Sequence, residues 1–376
     1  MSFLGIWNLK LYFYLMRSKD MTSYLILGVM SGTSVDGIDF ALVQFQKTQS
    51  WAFEIVTART IPYPKEWQQK LREAVDFDEI ALENLDNEYT EFLAKATNTF
   101  IKDEKIAQID AIASHGHTIL HRPDQGITYQ IGNKKELAKR TEKLVICDFR
   151  VQDVKLGGQG APLVPIGDQL LFGAYDACVN IGGFANISYL KNDQRIAYDI
   201  CPTNIVLNHY TEKLGLDYDK GGKIASGAKI DQKLLEKLNN LPFYALKPPK
   251  SLGLEWVRQE VFPLLEASKQ KPEFIIATFT EHMAQQIGQV LSRASQKNAD
   301  FKVLITGGGA YNTHLIERLK ALTSLKITVP EPQIVEFKEA LVFAFMGALR
   351  LRNTHNILKS VTGAEKDHCS GVIFTP

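Results

Sequence analysis

The chain has 376 residues, more than one hydrophobic core usually supports, so two lobes are expected rather than one. Hydrophobic residues make up 45% and charged residues 23%, a composition that excludes wholesale disorder. A formal net charge of +1 excludes a broad electrostatic attraction for nucleic acid or an acidic membrane, so the expected partner is a small molecule.

The first 20 residues carry an apolar stretch that is interrupted by Asn8 and Lys10 and is too short to span a bilayer. We treat residues 1–20 as an extension, such as an upstream start codon would add. The four cysteines are scattered without metal-binding spacing, which indicates buried thiols in a reducing compartment. We therefore predict a cytoplasmic protein.

The first half of the chain begins with two apolar runs, 24–29 and 38–45, that predict strand, polar turn and strand. Helices and strands then alternate, at 79–102, 111–114, 134–141 and 144–149. Glycines at 157–160 precede an apolar helical pattern from Leu163, and we place the lobe boundary just after it.

The second half repeats the strand, turn and strand pattern at 177–190 and adds a third strand at 196–200. The later predicted elements are a helix at 273–295, a strand at 302–306, a helix after Asn312 and a helix at 337–352. This pattern predicts an α/β fold of two related lobes, 21–172 and 173–376, with antiparallel hairpins at their starts and parallel pairing elsewhere. In this prediction, the C-terminal segment either stays in the second lobe or returns to the first.

The turn between the first two strands is the first candidate site. It places hydroxyl residues and glycines beside two carboxylates, in Ser31-Gly32-Thr33-Ser34, Asp36-Gly37 and Asp39. Glycines let backbone N–H groups approach a phosphate, and Mg²⁺ takes one or two carboxylates and fills its shell with water and phosphate oxygens. The alternative is a tight turn whose side chains only satisfy turn amides.

Two more glycine-rich turns lie in the second half. Gly307-Gly308-Gly309 joins a strand to a helix, where a ligand can meet a helix N-terminus, and Gly182-Gly183 forms the tip of the repeated hairpin, which continues to Asn186. The spacing of dinucleotide-binding folds is absent, and no G-x-x-x-x-G-K-[ST] segment exists in the sequence. A packing turn that needs small residues is the alternative for each.

Two carboxylates are candidates for acid–base chemistry. Asp199 ends a predicted strand just after the second hairpin, where an α/β sheet presents its carboxyl ends to a crevice. Glu339 starts an apolar helix, a position that also suits a simple helix-dipole partner. The cluster around His115 and His117 follows a short strand and suits sugar hydroxyls or a carboxylate, although strand-end histidines are often structural.

Two tandem hairpins and a glycine-rich strand-to-helix turn are typical of the two-lobed actin-like ATPase (ribonuclease H-like) fold, with nucleotide and sugar in the interlobe cleft. Within that class the sequence resembles the anhydro-N-acetylmuramic acid kinase family. The segments that carry the resemblance are GVMSGTSVDGID (28–39), SHGHT (114–118), QIGN (130–133), DFR (148–150), GGQGAPLVP (157–165), NIGGFANIS (180–188), GGGAYN (307–312) and SVTGA (360–364).

The resemblance implies an ATP- and Mg²⁺-dependent enzyme that opens the 1,6-anhydro ring of anhydro-N-acetylmuramic acid with water and phosphorylates O6, giving N-acetylmuramic acid 6-phosphate and ADP in peptidoglycan recycling. It implies that Asp199 is the general base, that Glu339 is a second active-site carboxylate and that the protein is a homodimer. The implied ATP-binding residues are Ser31, Gly32, Thr33, Ser34, Asp36, Gly37, Asp39, Gly182, Gly183, Asn186, Gly307, Gly308 and Gly309, with Asp36 and Asp39 as metal ligands. The implied sugar-binding residues are His115, His117, Gln130, Arg150 and Asn204.

Two segments depart from the family pattern. The family often has Asp-x-Gly-Pro-Gly-Asn after the base strand, whereas this chain has Cys201 and Thr203 in place of both glycines, which predicts different backbone angles there. His117 stands where the family has an amide, which predicts altered substrate contacts or pH dependence.

Three other functions stay open at this point. Another sugar or acid kinase of the same fold would phosphorylate a different substrate without consuming water. A non-enzymatic actin-like or chaperone-like nucleotide switch would turn over ATP without a sugar product. A catalytically silent relative, favoured only by the departures at 201–203, would bind ATP without turnover.

Overall fold

The structure, a computed structural model, describes residues 22–32, 34–296, 298 and 300–376. The predicted extension at 1–20 and the candidate Thr33 lie outside these residues. The chain divides into two compact units. The first comprises the described residues up to Leu171 together with Phe337–Pro376, and the second is Phe172–Glu336.

The strands, in chain order, are β1 (Ser23–Ser31), β2 (Gly37–Lys47), β3 (Trp51–Pro62), β4 (Ala111–Arg122), β5 (Ile127–Ile131), β6 (Val145–Cys147), β7 (Ala177–Ile181), β8 (Phe184–Lys191), β9 (Gln194–Pro202), β10 (Lys302–Thr306), β11 (Lys326–Thr328) and β12 (Val372–Phe374). The helices are α1 (Lys65–Glu73), α2 (Glu79–Asp103), α3 (Lys135–Thr141), α4 (Val151–Lys155), α5 (Pro165–Leu170), α6 (Asn204–Glu212), α7 (Lys223–Gly227), α8 (Gln232–Asn239), α9 (Leu254–Trp256), α10 (Phe262–Ala267), α11 (Pro272–Ser295), α12 (Thr313–Leu322), α13 (Pro332–Leu351) and α14 (Lys359–Thr362).

The two sheets repeat one topology. In the first, the strand order is β12-β6-β4-β1-β2-β3, and β5 pairs with β4; in the second, it is β11-β10-β7-β8-β9. Each sheet starts with an antiparallel three-stranded meander, β1-β2-β3 or β7-β8-β9, and adds two parallel strands beside its first strand. The predicted α/β repeat is confirmed, and the fold is that of a two-lobed actin-like ATPase.

The local pattern explains how the first core forms. Helix α2 starts at Asp78, whose side chain accepts a hydrogen bond from the N–H of Ala81 at 2.8 Å and so caps the helix. Its buried residues Leu82, Leu85, Tyr89 and Leu93 follow helical spacing and face the sheet core. Tyr89 is thereby held in the interior of the first unit.

Helix α13 carries the chain from the second unit back to the first. Its backbone leaves helical angles at Phe337 (φ −110°, ψ 15°), and from there it packs directly on the first sheet. A Cβ on Gly28 would lie 2.0 Å from the carbonyl oxygen of Ala340, so only glycine allows this approach. Residues 337–376, including Glu339, therefore belong to the first unit, which is the return to the first lobe that the predicted division at 173–376 left open.

Cys147, Cys178 and Cys201 are buried, and Cys369 is partly buried; none of the four is in a disulfide. Within the described part of the chain, no helix has the length and apolar character needed to cross a membrane.

Candidate active site

The turn between β1 and β2 projects its carboxylates from a strained backbone. Val35 has φ of 58°, a left-handed conformation that costs a β-branched residue about 1–2 kcal/mol. Its buried side chain anchors the turn in the core. The exposed Asp36 carboxylate accepts hydrogen bonds from Ser34 Oγ at 2.7 Å and from Gly37 N–H at 3.0 Å. Strain of this kind is often kept where a loop meets a ligand.

Asp39 lies two residues along β2 and is half-buried. It accepts a hydrogen bond from Thr60 Oγ1 at 2.5 Å. Among the described residues, no group of three or more His, Cys, Asp or Glu side chains is arranged to hold a metal by itself. A Mg²⁺ ion that shares one or two carboxylates with phosphate and water needs no such group, so Asp36 and Asp39 suit it.

Ser31 differs from the other turn residues because its hydroxyl faces inwards. It is only 3% exposed and lies 2.6 Å from both Tyr63 OH and His117 Nδ1. A bulge between β1 and β4, where Gly116 has φ of 73°, puts His117 opposite Ser31. The Ser31 hydroxyl is thus committed to the interior of the unit and holds the turn rather than facing a phosphate.

The buried His115 and the partly buried Arg150 form a pair next to this bulge. Arg150 Nε–H donates to His115 Nε2 at 2.9 Å, and Arg150 Nη1–H donates to the Gly160 carbonyl at 2.5 Å. The accepting Nε2 puts the ring proton on Nδ1, which donates to the Gly116 carbonyl at 2.9 Å. Burial and the Arg150 charge hold the pKa of His115 well below its usual value, so the ring stays neutral.

Glu339 is an exposed residue. Partial loss of hydration around its carboxyl raises its pKa, while the attraction of Arg150 opposes the rise. Burial lowers the pKa of Arg150 to about 10, and Glu339 opposes that change in turn. Beside it, Lys338 Nζ and Asp168 Oδ1 form a buried ion pair at 2.7 Å.

Asp153 is a structural residue of this region that the sequence analysis missed. Its side chain is fully buried, and its two oxygens accept hydrogen bonds from Gly160 N–H at 2.7 Å and Thr362 Oγ1 at 2.8 Å. A Cβ on Gly158 would lie 2.2 Å from Asp153 Oδ2. The segments GGQGAPLVP and SVTGA are therefore joined through one carboxylate, and the only sequence signal was their shared membership of the family pattern.

In the second unit, Asp199 lies within β9, which continues two residues beyond the predicted strand end at 200. The pairing of β8 with β9 is irregular between Ala185 and Asn186, where Ile200 is the extra residue of a bulge. Leu252 N–H donates to Asp199 Oδ2 at 2.8 Å, and Asp199 N–H donates to the Lys250 carbonyl at 3.1 Å. Burial raises the pKa of Asp199, and the Leu252 hydrogen bond only partly offsets this.

The two glycine-rich turns of the second unit lie against each other. Gly307 has φ of 82°, and a Cβ there would lie 2.6 Å from Asn180 Oδ1 and 2.7 Å from the Ile181 carbonyl oxygen. Asn204 also reaches this turn, since its Nδ2 would lie 3.9 Å from a Cβ on Gly308. The predicted hairpin turn, strand-to-helix turn and Asn204 are thus brought together.

The side chains of Cys201 and Thr203, which replace two glycines of the family pattern, are accommodated by packing and by hydrogen bonds. Cys201 is fully buried in the core of this unit. Thr203 Oγ1 donates to the Gly182 carbonyl at 2.7 Å, and Thr203 N–H donates to the Gly183 carbonyl at 2.8 Å. The threonine hydroxyl ties the end of β9 to the glycine turn, a contact that glycine cannot make.

A loop at Asp219–Gly222 also adjoins this region, and the sequence analysis missed it. Asp219 accepts hydrogen bonds from the N–H groups of Ile224 and Ala225, and Gly221 and Gly222 have φ of 68° and 72°. Thr313 Oγ1 donates to the Gly221 carbonyl at 2.9 Å, which joins the loop to the helix that follows the three glycines. The sequence feature that could have indicated this loop is the pair of glycines in the segment DKGGK.

Each candidate can now be assigned to a unit. The first unit holds Ser31, Gly32, Ser34, Asp36, Gly37, Asp39, His115, His117, Gln130, Arg150 and Glu339. The second holds Gly182, Gly183, Asn186, Asp199, Asn204, Gly307, Gly308 and Gly309.

Comparison with known proteins identifies the family. The family model for anhydro-N-acetylmuramic acid kinase matches residues 24–376. A relative of that name from Saccharophagus degradans is 37% identical, over 95% of this chain and 100% of its own length. Relatives of the same name from Pseudomonas syringae pv. tomato (34% identical; 93% of this chain, 99% of the relative) and Haemophilus influenzae (33%; 94% and 99%) are similar along their lengths as well.

These matches agree with the fold and with the order of the sequence segments. The resemblance found in the sequence is confirmed, and with it an enzyme that phosphorylates an alcohol group of anhydro-N-acetylmuramic acid in peptidoglycan recycling. The chain belongs to the anhydro-N-acetylmuramic acid kinase family.

Proposed function

We propose that Asp199 is the general base of this kinase. The observation that carries the proposal is a carboxyl group with one oxygen held by a backbone N–H, at 2.8 Å, and with a pKa raised by burial. A base with a raised pKa accepts a proton more readily than an ordinary aspartate. Fixing Oδ2 leaves Oδ1, for which no hydrogen bond is recorded among the described residues, to face a water molecule.

The proposed reaction consumes one water molecule and transfers one phosphoryl group. Asp199 takes a proton from the water, whose oxygen bonds to the anomeric carbon while the bond from that carbon to O6 breaks. The freed O6 takes the γ-phosphoryl group, and ADP leaves. The products are N-acetylmuramic acid 6-phosphate and ADP.

We assign Glu339 as the second active-site carboxylate. Its raised pKa lets it hold a proton at a higher pH than an ordinary glutamate does. Arg150 limits this shift by electrostatic attraction. Glu339 would then form a hydrogen bond with the sugar. The charge of the Glu339 carboxyl would depend on Arg150.

The nucleotide phosphates are assigned to the turns of both units. In the first unit these are Gly32, Thr33 and Ser34 with Asp36, Gly37 and Asp39, and in the second they are Gly182, Gly183, Asn186 and Gly307–Gly309. Mg²⁺, when bound, would neutralise charge on the phosphates, with Asp36 and Asp39 as its protein ligands. Ser31 stabilises the turn from the interior of the unit.

The sugar is assigned to His115, His117, Gln130, Arg150 and Asn204. Gln130 Oε1 and the neighbouring Asn133 Oδ1 are buried and have no hydrogen-bond partner within the described part of the chain. Buried acceptors of this kind require donors. The hydroxyl and acetamide N–H groups of an amino sugar are such donors.

The remaining assignments concern location and partners. We place it in the cytoplasm, where ATP is available, and we expect a homodimer with no nucleic-acid partner. The net charge of +1 supports the last point.

The test is a reaction in ¹⁸O-water with 1,6-anhydro-N-acetylmuramic acid, ATP and Mg²⁺, followed by mass spectrometry of the sugar. The wild type should give one ¹⁸O at C1 and a phosphate on O6. Asp199→Asn should lower kcat by about 10²–10⁴-fold, the usual contribution of a general base. Asp217→Asn, which changes an exposed carboxylate of the same unit, is the matched control. Phosphorylation without ¹⁸O incorporation, or full activity in Asp199→Asn, would contradict the assignment.

A further inference from the structure

A file of four buried side chains connects helix α2 to the middle of β4 in the first unit. Tyr89 OH lies 2.6 Å from Tyr63 OH, which lies 2.6 Å from Ser31 Oγ, which lies 2.6 Å from His117 Nδ1. The four residues are between 0% and 4% exposed. We call these residues the hydroxyl file.

Counting hydrogens determines the direction of donation in the file. Each hydroxyl carries one hydrogen, whereas a neutral imidazole Nδ1 either donates or accepts. If His117 donated, the Tyr89 O–H, which lies among the rings of Trp67 and Phe92, would be left with Ser31 as a weaker partner outside the short contacts of the file. A buried donor with a poor partner costs up to about 1–3 kcal/mol. Donation from Tyr89 through Tyr63 and Ser31 to His117 gives every hydroxyl hydrogen an acceptor.

His117 then carries its ring proton on Nε2, the opposite tautomer to His115. Nδ1 of His117 accepts from Ser31, while Nε2 of His115 accepts from Arg150. Burial lowers the pKa of His117 to about 4, so the ring is neutral at physiological pH. Nε2 of His117 has no hydrogen-bond partner among the described residues.

We infer that the hydroxyl file fixes His117 as the Nε2–H tautomer, so that this residue offers an N–H donor to an acceptor oxygen of the sugar. Tyr63 and Tyr89 are positioning residues for that donor. The inference rests on the proposed contact of His117 with the sugar. It also accounts for His117 in place of the family's amide, because glutamine can accept through its carbonyl and donate through its N–H₂ with the same polarity.

The tautomer is tested first on the protein without substrate. Two-bond ¹H–¹⁵N spectra of ¹⁵N-histidine-labelled protein report which ring nitrogen carries the proton, and the signal of His117 is the one lost in His117→Gln. The wild type should show a protonated Nε2. Tyr63→Phe removes the donor to Ser31 and should give a mixture of tautomers. Tyr210→Phe, which removes a buried hydroxyl with no partner among the described residues, should leave the signal unchanged.

Kinetics then test the donor. Tyr63→Phe and His117→Phe should raise KM for the sugar about tenfold, the equivalent of one hydrogen bond of roughly 1.4 kcal/mol, with a smaller change in kcat. His117→Gln should keep KM within a few-fold of the wild type. A protonated Nδ1 in the wild type, or a Tyr63→Phe protein with unchanged tautomer, would overturn the inference about the file. The expected tautomer with an unchanged sugar KM in His117→Phe would instead overturn the sugar contact and the donor role, and would leave the assignment of Asp199 intact.

Discussion

The two sheets share the order of five strands, to which the first adds β5 and β12, but the two units hold the polar groups of the candidate site differently. In the first unit, side-chain pairs such as Ser31–His117 and Arg150–His115 act together with backbone contacts. At Asp199 and Thr203 of the second unit, the partners are backbone groups: Leu252 N–H holds Asp199, and the Gly182 carbonyl accepts the hydroxyl of Thr203. The first unit should therefore respond to loss of a side-chain partner, and the second to changes in backbone conformation or bulk.

The largest expected effect breaks the buried ion pair of the first unit. Lys338→Met leaves the Asp168 carboxylate buried without its cation, and the side chains are 6% and 5% exposed. We expect a loss of about 3–5 kcal/mol in the free energy of unfolding, measured by urea denaturation. The double variant Lys338→Met/Asp168→Leu should recover most of that loss. A single variant as stable as the wild type would show that side-chain pairing does not hold this unit.

The next effect changes the bulk of a turn in the second unit. Gly307→Ala places a Cβ 2.6 Å from Asn180 Oδ1 on a residue with φ of 82°, so the turn must shift. We expect at least a tenfold weaker ATP affinity by calorimetry, together with a lower melting temperature. Gly227→Ala is the control, because a Cβ there meets no atom within 4 Å. Equal ATP affinity in both variants would contradict the role of the turn.

A smaller effect is expected from the residue that replaces a family glycine. Thr203→Val removes the hydroxyl that bonds the Gly182 carbonyl at 2.7 Å, while that carbonyl keeps the Asn204 N–H at 3.3 Å. The free energy of unfolding should fall by about 1 kcal/mol, the usual net worth of one hydrogen bond. The change in kcat should stay below tenfold. A larger catalytic loss would mean that Thr203 acts on the reaction itself.

The smallest effect is a gain in stability. The folded-state pKa of Asp199 lies above that of the unfolded chain, so its ionisation costs stability as the pH rises between the two values. Asp199→Asn should therefore melt slightly higher than the wild type at pH 7, and this difference should disappear below the unfolded pKa of aspartate. A lower melting temperature at pH 7 would contradict the raised pKa. The same pKa predicts that kcat falls as the pH drops through it.

The sequence predicted the elements that depend on local pattern. Strand β10 was predicted at its observed bounds, and α2 and α11 within one residue at each end, because long periodic segments carry their own signal. The repeated hairpins were predicted for the same reason. Helix α13 was predicted from Phe337, which is where its backbone leaves helical angles, although the helix begins five residues earlier.

The sequence left open whether the C-terminal segment stays in the second lobe or returns to the first. Nothing local distinguishes a helix that packs on one sheet from a helix that packs on the other. The deciding fact is the contact of Gly28 with the backbone of Ala340, two residues more than 300 positions apart. The roles of Asp153, Tyr63 and Tyr89 were missed for the same reason, since their partners are distant in sequence.

The sequence by itself determined the fold class, the family and the chemical types at the candidate site, since these depend on residue identity and order. Only the tertiary structure decided which hydroxyls face inwards, which carboxylates have raised pKa values and which tautomer His117 adopts. Those properties arise from burial and from hydrogen-bond partners far apart along the chain. For this protein, the order of the sequence segments indicates the reaction, and the packing sets the protonation and hydrogen bonding of each polar group.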